Sequence, residues 1–283
     1  MPEALPERSL IVSHNLNHPH QTAFLTSSWG RPRTCTRERC GSDRVHGTLQ
    51  VMSHHPLLRI ENLEKTFGTG ENSVRALDRV SLEIPRGQFV AIMGPSGSGK
   101  STLLQCAAGL DSVDSGRVFL RGDELSAMSD DDLTLTRRER IGFIFQAFNL
   151  LPTMTARDNI ALPLAMGRKK IDDAWFGHVV DMLGLRDRLS HRPAELSGGQ
   201  QQRAAIARAL ITRPDIIFAD EPTGALDQDT SETLLRFLRK CTDELGQTLI
   251  MVTHDPAVAQ WSDRLIEFSD GRIVRDSDRQ LVR

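Results

Sequence analysis

The sequence of 283 residues contains no tyrosine and few lysines, so arginine supplies nearly all of its positive charge. The formal net charge of −2 offers no general attraction to nucleic acid or to an anionic lipid surface. No apolar run approaches the length of about eighteen residues that a membrane-spanning helix needs. We therefore expect no nucleic-acid partner, and we expect any role at a membrane to come through another protein.

Cysteine is also scarce, and its four positions do not resemble a disulfide framework. Cys106 and Cys241 fall within helical patterns, where they are expected to be small core residues. Cys35 and Cys40 have several histidines nearby, but their spacing is loose and no zinc-finger histidine pair follows. We expect no metal site at this pair and a reducing compartment for the protein.

Residues 1–51 lack the periodicity of a helix or a strand and contain few aliphatic residues. This segment is predicted to be disordered, or else not normally made, in which case the natural start is Met52. The alternating and apolar patterns of folded structure begin near Leu57. The predicted division is therefore an N-terminal extension over residues 1–51 and one folded unit over residues 52–283.

The stretch at residues 94–102 reads GPSGSGKST and fits the phosphate-binding pattern G-x-x-x-x-G-K-[ST]. The residues before it predict a buried strand, and those after it predict a helix. Glycines let backbone amides turn towards an anion at a helix N-terminus. The lysine would reach the β and γ phosphates, and the hydroxyl of Ser101 would ligate Mg²⁺. The candidate nucleotide-binding residues of this loop are Gly94, Pro95, Ser96, Gly97, Ser98, Gly99, Lys100, Ser101 and Thr102.

Three polar side chains follow predicted buried strands farther along the chain. Asp220 and Glu221 end the run at 215–221, and His254 follows the run at 248–253. Asp220 suits an oxygen ligand of Mg²⁺ opposite the loop hydroxyl, and Glu221 is placed to activate a water. A histidine at this edge of a sheet that already holds a phosphate loop is a functional candidate.

The string Leu-Ser-Gly-Gly-Gln at residues 196–200 precedes a strong helix-forming run and predicts a second anion-binding helix end. Phe67 leaves two alternatives open: a packed core aromatic, or a ring on which an adenine base stacks. It is the only aromatic residue near its position in the chain.

In these motifs the chain resembles the ATP-binding subunits of ABC transporters over residues 57–275. Three further strings are similar to the lipoprotein-release, macrolide-export and FtsE-like branch: FQAFNLLPTMTARDNI from Phe145, PAELSGGQQQR from Pro193 and EPTGALD from Glu221. By this resemblance, Phe67 is the adenine-stacking residue, Gly94 to Thr102 form Walker A, and Gln146 is the Q-loop glutamine. The signature loop contains Ser197, Gly198, Gly199 and Gln200. Asp220 is the Walker B aspartate, Glu221 the catalytic glutamate, Asp227 the D-loop aspartate and His254 the switch histidine.

The resemblance implies an α/β fold: a RecA-like P-loop NTPase core, an antiparallel β subdomain and a helical subdomain at about residues 147–203. It implies that ATP and Mg²⁺ are bound, with Ser101, Gln146 and Asp220 near the metal. Two copies would pack head to tail at the cytoplasmic face of the membrane and drive a separate permease, in the export direction. The alternatives are ATP-driven signalling to a membrane partner without cargo, and a non-transport ABC ATPase.

Overall fold

The computed structural model describes residues 56–278. The predicted extension over residues 1–51, with Cys35 and Cys40, lies outside these described residues. The division of the chain at residue 51 therefore stays a prediction. The mixed α/β architecture that the sequence predicts is present in the described part.

The central strands of the larger sheet are apolar runs that are buried on both faces, as parallel strands require. Its strand order is β10-β9-β3-β8-β7-β6, and all neighbours are parallel except β10 with β9. The strands are β3 (Phe89–Met93), β6 (Ile141–Ile144), β7 (Ile216–Asp220), β8 (Thr248–Thr253), β9 (Arg264–Ser269) and β10 (Arg272–Asp278).

The smaller sheet is antiparallel and alternates buried with exposed side chains, because one face is solvated. Its order is β2-β1-β4-β5. The strands are β1 (Leu58–Phe67), β2 (Val74–Ile84), β4 (Ser115–Leu120) and β5 (Asp123–Glu124).

Several helices begin where a side chain accepts a hydrogen bond from the first free amides, at Ser129, Thr155, Asp172, Ser197 and Asp227. The helices are α1 (Lys100–Ala107), α2 (Asp130–Arg140), α3 (Ala156–Met166), α4 (Asp173–Met182), α5 (Gly198–Leu210), α6 (Gln228–Leu245) and α7 (Pro256–Ala259). The sequence predicts the bounds of α3 as observed. It also predicts a helix over Ile171 to Leu183, which begins two residues before α4 because Asp172 caps that helix.

Helices α3 and α4 both pack on α5, which in turn contacts β6 of the parallel sheet and α6. These helices share one apolar cluster with Ile217 and Ala219 of β7 and Leu249 and Met251 of β8. Cys241 lies in this cluster, and Cys106 lies in the second cluster, beneath the antiparallel sheet. Both cysteines are free and buried, which confirms their assignment as core residues.

Among the described residues, no helix has both the length and the apolar character needed to cross a membrane.

A substitution in the stripe of α6 that faces the sheet measures how much this core contributes to stability. Leu234 is 1% exposed, whereas Leu135 on α2 is 49% exposed, so the same Leu→Ala change probes both environments. We expect Leu234→Ala to lower the free energy of unfolding by about 2–5 kcal/mol and Leu135→Ala by about 0.5 kcal/mol or less. Urea denaturation followed by circular dichroism measures both, and equal losses would contradict the assignment of this stripe to the core.

Candidate functional site

The loop between β3 and α1 adopts a backbone conformation that its glycines permit. Gly97 and Gly99 have φ angles of 76° and 101°, in the region that side chains disfavour. A Cβ atom on Gly94 would lie 1.9 Å from the carbonyl oxygen of Phe268, and one on Gly99 would lie 2.1 Å from that of Ala76. Glycine is therefore required here both for conformation and for close approach of other strands.

The β9–β10 hairpin holds this loop from one side. The amide of Gly271, in the hairpin turn, donates a hydrogen bond of 2.9 Å to the carbonyl oxygen of Ser98. Within the loop, the amide of Ser98 donates to the carbonyl oxygen of Pro95. The exposed residues Ser96 and Gly97 form the outer turn of the loop.

Lys100 begins α1 and is buried in the loop, with 5% of its surface exposed. Its ammonium group donates to the carbonyl oxygen of Pro95 at 2.7 Å and lies 3.4 Å from the hydroxyl oxygen of Ser98. Burial lowers the pKa of Lys100, while the carboxylates of Glu221 and Asp220 act in the opposite direction. A buried cation with only neutral hydrogen-bond acceptors is a suitable partner for an anionic ligand.

Asp220 lies at the carboxyl end of β7, across β8 from the strand that carries the loop. Its carboxylate accepts a hydrogen bond of 2.9 Å from the hydroxyl of Ser101. Burial raises the pKa of Asp220, although the hydrogen bond from Ser101 opposes this effect. Together, a hydroxyl and a carboxylate at the start of α1 supply the hard oxygen donors that Mg²⁺ prefers.

Glu221 follows Asp220 and has a φ angle of 45°, which is unusual for a residue with a side chain. Its amide donates to the carbonyl oxygen of Val252 on β8, which holds the turn in place. The Oε1 atom of Glu221 lies 3.3 Å from Nδ1 of His254, and the imidazole is the more exposed of the two side chains. The structure therefore brings these two predicted residues together.

Gln146 is exposed just beyond the end of β6. A Cβ atom placed on Gly224 would lie 2.8 Å from the side-chain nitrogen Nε2 of Gln146, so the two residues are in close contact. The amide of Gly224 in turn donates to the carbonyl oxygen of Glu221. The loop after β6 is thus packed against the loop that carries the carboxylates.

Phe67 ends β1 with 44% of its surface exposed, so it is not a buried core residue. It pairs with Val74 of β2, two residues from the Ala76 carbonyl that contacts Gly99 of the loop. Two residues of a strand span about 7 Å, which places the ring near the phosphate loop. The exposed face of Phe67 is available for stacking.

The Leu-Ser-Gly-Gly-Gln string forms the start of α5. Ser197 accepts from the amide of Gln200, whose side chain accepts from the amide of Ser197, so these two residues form a capping box. Gly198 is exposed, while a Cβ on Gly199 would lie 2.4 Å from the side chain of Thr230.

Helix α5 packs mainly on α3, α4, α6 and β6, whereas α1 packs on β2, β7 and β8. The capped end of α5 therefore belongs to a different layer from the phosphate loop of the same chain. Asp227 is exposed at the start of α6 and accepts from the amide and hydroxyl of Thr230. Its pKa is lowered chiefly by the hydrogen bond from the Thr230 amide.

Two side chains that sequence reasoning missed connect α5 to these loops. The amide of buried Gln202 donates to the carbonyl oxygen of Pro222, next to Glu221. The guanidinium of Arg208 donates to the carbonyl oxygens of Asn149 and Phe148, in the loop after Gln146. An arginine in an amphipathic helix is usually solvated, so the pattern alone contains no signal for this role.

A phosphate-binding loop with a buried lysine, opposed by a carboxylate on a nearby parallel strand, defines a P-loop nucleoside triphosphatase. A sequence profile of the ABC transporter family matches residues 77–224. The chain belongs to this family, of which ATP and Mg²⁺ are the nucleotide and metal. This confirms the resemblance that the motifs indicate.

The relatives include proteins of two kinds. An ABC transporter ATP-binding protein of Methanocaldococcus jannaschii, MJ0796, is 44% identical over 229 residues, which cover 78% of this chain and 96% of that protein. The macrolide export ATP-binding/permease protein MacB of Neisseria gonorrhoeae is 48% identical over 226 residues, which cover 79% of this chain and 35% of MacB. The chain thus spans about a third of the length of such MacB relatives.

Among solved structures, a dimeric post-hydrolysis state of the MJ0796 cassette bound to ADP and Pi matches with a TM-score of 0.73. The two proteins are 42% identical, and the match covers 79% of this chain and 99% of that chain. This similarity confirms the predicted P-loop core.

The contact between Gly99 and Ala76 predicts how the loop responds to an added methyl group. Gly97→Ala introduces a strained φ angle into open space, whereas Gly99→Ala adds a clash with a backbone carbonyl. We expect Gly97→Ala to weaken binding of a fluorescent ATP analogue by about tenfold and Gly99→Ala to abolish it. Circular dichroism verifies folding of both variants, and unchanged binding by Gly99→Ala would contradict the close approach.

Proposed function

We propose that this chain is the ATP-hydrolysing subunit of an export-type ABC transporter, which acts as two copies that enclose two Mg·ATP and drive a membrane permease. The observation that carries the proposal is the separation within one chain of the α5 N-terminus from the phosphate loop. One copy holds a nucleotide, and the second copy presents the N–H groups at the start of its α5 to the γ-phosphate.

In the proposed site, residues 94–102 wrap the phosphates with backbone amides, and Lys100 neutralises charge on the β and γ phosphates. Phe67 stacks on the adenine. Ser101, Asp220 and Gln146 hold Mg²⁺, which neutralises charge on the phosphate oxygens when it is bound. The hydrogen bond between Ser101 and Asp220 supports this role, because it joins the two oxygen donors at the start of α1.

Glu221 is the proposed residue that orients and activates the attacking water, and His254 contacts the γ-phosphate. The 3.3 Å contact between their side chains supports this pair of roles. The left-handed backbone of Glu221 directs its carboxylate from the end of β7 at the cost of some strain. Phosphoryl transfer mainly requires such positioning and charge stabilisation.

Residues Ser197, Gly198, Gly199 and Gln200 of one copy contact the γ-phosphate held by the other, with Asp227 at the same interface. The dimeric MJ0796 cassette bound to ADP and Pi supports this arrangement. Shifting such an equilibrium from mostly open to mostly closed takes about 5.5 kcal/mol of differential binding. Two nucleotides that each contact both copies could supply this energy, and hydrolysis would release it.

The membrane partner of this proposal is a separate permease, and the chain binds it at the cytoplasmic face of the membrane. The MacB relatives support a permease as the partner, because the name of each combines ATP binding with a permease. Export of a cargo is favoured over signalling, because the names of the same relatives specify macrolide export.

Removing the proposed activating carboxylate tests the chemistry. We expect Glu221→Gln to bind ATP, to form a stable dimer in its presence, and to hydrolyse it about 10²–10⁴-fold more slowly. Phosphate release and sedimentation with ATP measure the two effects. Glu232→Gln, which changes an exposed carboxylate on α6, serves as the control. Normal turnover by Glu221→Gln would remove Glu221 from this role.

The two-copy site predicts that binding and hydrolysis can be separated. Ser197→Arg places a bulky cation at the exposed start of α5, so we expect at least about a 10²-fold loss of hydrolysis. Because Ser197 is remote from the phosphate loop of its own chain, ATP binding by the isolated subunit should change less than about threefold. Ser115→Arg, at the exposed first residue of β4, is the matched control. Loss of ATP binding in Ser197→Arg would contradict the two-copy site.

A further inference from the structure

Lys65 is a buried cation near the end of β1, outside the motifs of the nucleotide site. Only 7% of its surface is exposed, and a lysine side chain is almost never buried this far unless its charge is paired. Phe67, two residues later on the same strand, is 44% exposed. The contacts of the Lys65 ammonium group therefore indicate why a charge is buried beside an exposed ring.

Three acceptors in the loop after α1 surround this ammonium group. Nζ donates to the carboxylate of Asp111 at 3.0 Å, to the carbonyl oxygen of Ser112 at 2.7 Å and to the hydroxyl oxygen of Ser112 at 3.2 Å. A lysine has three N–H donors, so these bonds use all of them. The amide of Ser112 also donates to the Asp111 carboxylate, at 2.8 Å, which holds the anionic partner in place. The ammonium group of Lys65 is thus fixed in one position.

The backbone of β1 is joined to the same loop on both sides of Lys65. The amide of Thr66 donates to the carboxylate of Asp114 at 2.6 Å, and the amide of Asp114 donates to the carbonyl oxygen of Glu64 at 3.0 Å. The pairing of β1 with β2 shifts register before and after Lys65, so the ladder of hydrogen bonds to β2 is locally disrupted. Contacts with the loop after α1 therefore help to set where the end of β1 lies.

The ring of Phe67 lies against the same ammonium group. Nζ of Lys65 is 5.2 Å from the ring centroid, within the distance of about 6 Å at which a cation is attracted to an aromatic face. A phenyl ring has no polar atom through which a hydrogen bond could orient it, so contact with a fixed cation takes that part. Because Lys65 occupies one face, a base that stacks on this ring does so on the opposite face.

Helix α1 connects the loop that holds Lys65 to the phosphate loop. The helix begins at Lys100 and spans eight residues, which is about 12 Å. After its last turn, the amides of Leu110 and Asp111 both donate to the carbonyl oxygen of Gln105. The acceptors of Lys65 are therefore fixed to the end of the helix that starts in the phosphate site.

We infer that Lys65 is a positioning residue for the base of the bound nucleotide, because it holds the ring of Phe67 at a fixed place relative to α1. The inference rests on the proposed function, in which adenine stacks on Phe67. Lys65 acts through the ring and does not touch the nucleotide. A ring that is oriented before the nucleotide binds loses less conformational entropy when the base stacks on it.

The test compares a ligand that has a base with one that has none. Mg·ADP can stack on Phe67, whereas Mg·pyrophosphate occupies only the phosphate loop, and neither is consumed during the measurement. Isothermal titration calorimetry on the full chain gives the Kd of ADP, and displacement of ADP gives that of pyrophosphate. We expect Lys65→Met to weaken ADP by about tenfold, a part of what base stacking contributes, and to change pyrophosphate by less than about twofold.

Three further variants separate positioning from a general structural role. Lys65→Arg keeps the cation and should restore part of the ADP affinity. Phe67→Ala should weaken ADP at least as much as Lys65→Met, and adding Lys65→Met to Phe67→Ala should cost less than about a further twofold, because both changes remove the same contact. Lys240→Met, which changes an exposed lysine on α6, should leave both affinities unchanged.

Steady-state hydrolysis gives an independent readout of the same role. Lys65→Met should raise the KM for ATP by about tenfold and change kcat by less than about twofold, as expected when ground state and transition state lose the same binding energy. If Lys65→Met does not fold, Asp111→Asn keeps the shape of the acceptor and removes its charge. We then expect ADP to bind about threefold more weakly, with pyrophosphate unchanged.

Two results would overturn the inference. The first is an equal loss of ADP and pyrophosphate affinity in Lys65→Met, or in Asp111→Asn if that variant replaces it, which would place the effect in the phosphate loop. The second is ADP binding that Phe67→Ala weakens while neither Lys65→Met nor Asp111→Asn does, and this result leaves the proposed function intact. Unchanged ADP binding by Phe67→Ala would instead remove the stacking role itself.

Discussion

The structure depends on the close approach of two strands and one hairpin turn to a single glycine loop. Backbone carbonyls of β9 and β2 lie where the Cβ atoms of Gly94 and Gly99 would be, and the hairpin turn at Gly271 donates to the loop. This crowding restricts the backbone of the loop, in which Lys100 is buried. A buried cation whose hydrogen-bond acceptors are neutral favours an anionic ligand at this loop.

The second constraint is the chain of contacts between loops at the carboxyl edge of the parallel sheet. Glu221 contacts His254, its carbonyl oxygen accepts from Gly224, and Gly224 lies against Gln146. Beyond Gln146, Phe148 and Asn149, which both have left-handed φ angles, are held by Arg208. Each loop is therefore positioned by the next, so a displacement of the loop after Gln146 would reach the carboxylates through direct contacts.

Much of this fold follows from local rules that the sequence displays. Apolar runs predict the parallel strands, and the helical pattern from Ala156 to Met166 predicts α3, because both signals act over a few residues. The phosphate loop and the strand-end residues Asp220, Glu221 and His254 are likewise local patterns. The contacts of Arg208 and Gln202 are not predictable in this way, because each joins segments that only tertiary packing brings together. The exposure of Phe67 also required the structure, since its pattern allows a buried or an open ring.

The hairpin that secures the phosphate loop has a consequence for biosynthesis. The loop at Ser98 is completed by Gly271 and Phe268, which the ribosome adds more than a hundred and sixty residues later. A domain generally folds as a unit, but β3 and α1 leave the ribosome long before the strands that hold them. A nascent chain therefore exposes an unsupported loop, and the nucleotide site forms only as one of the last events of folding.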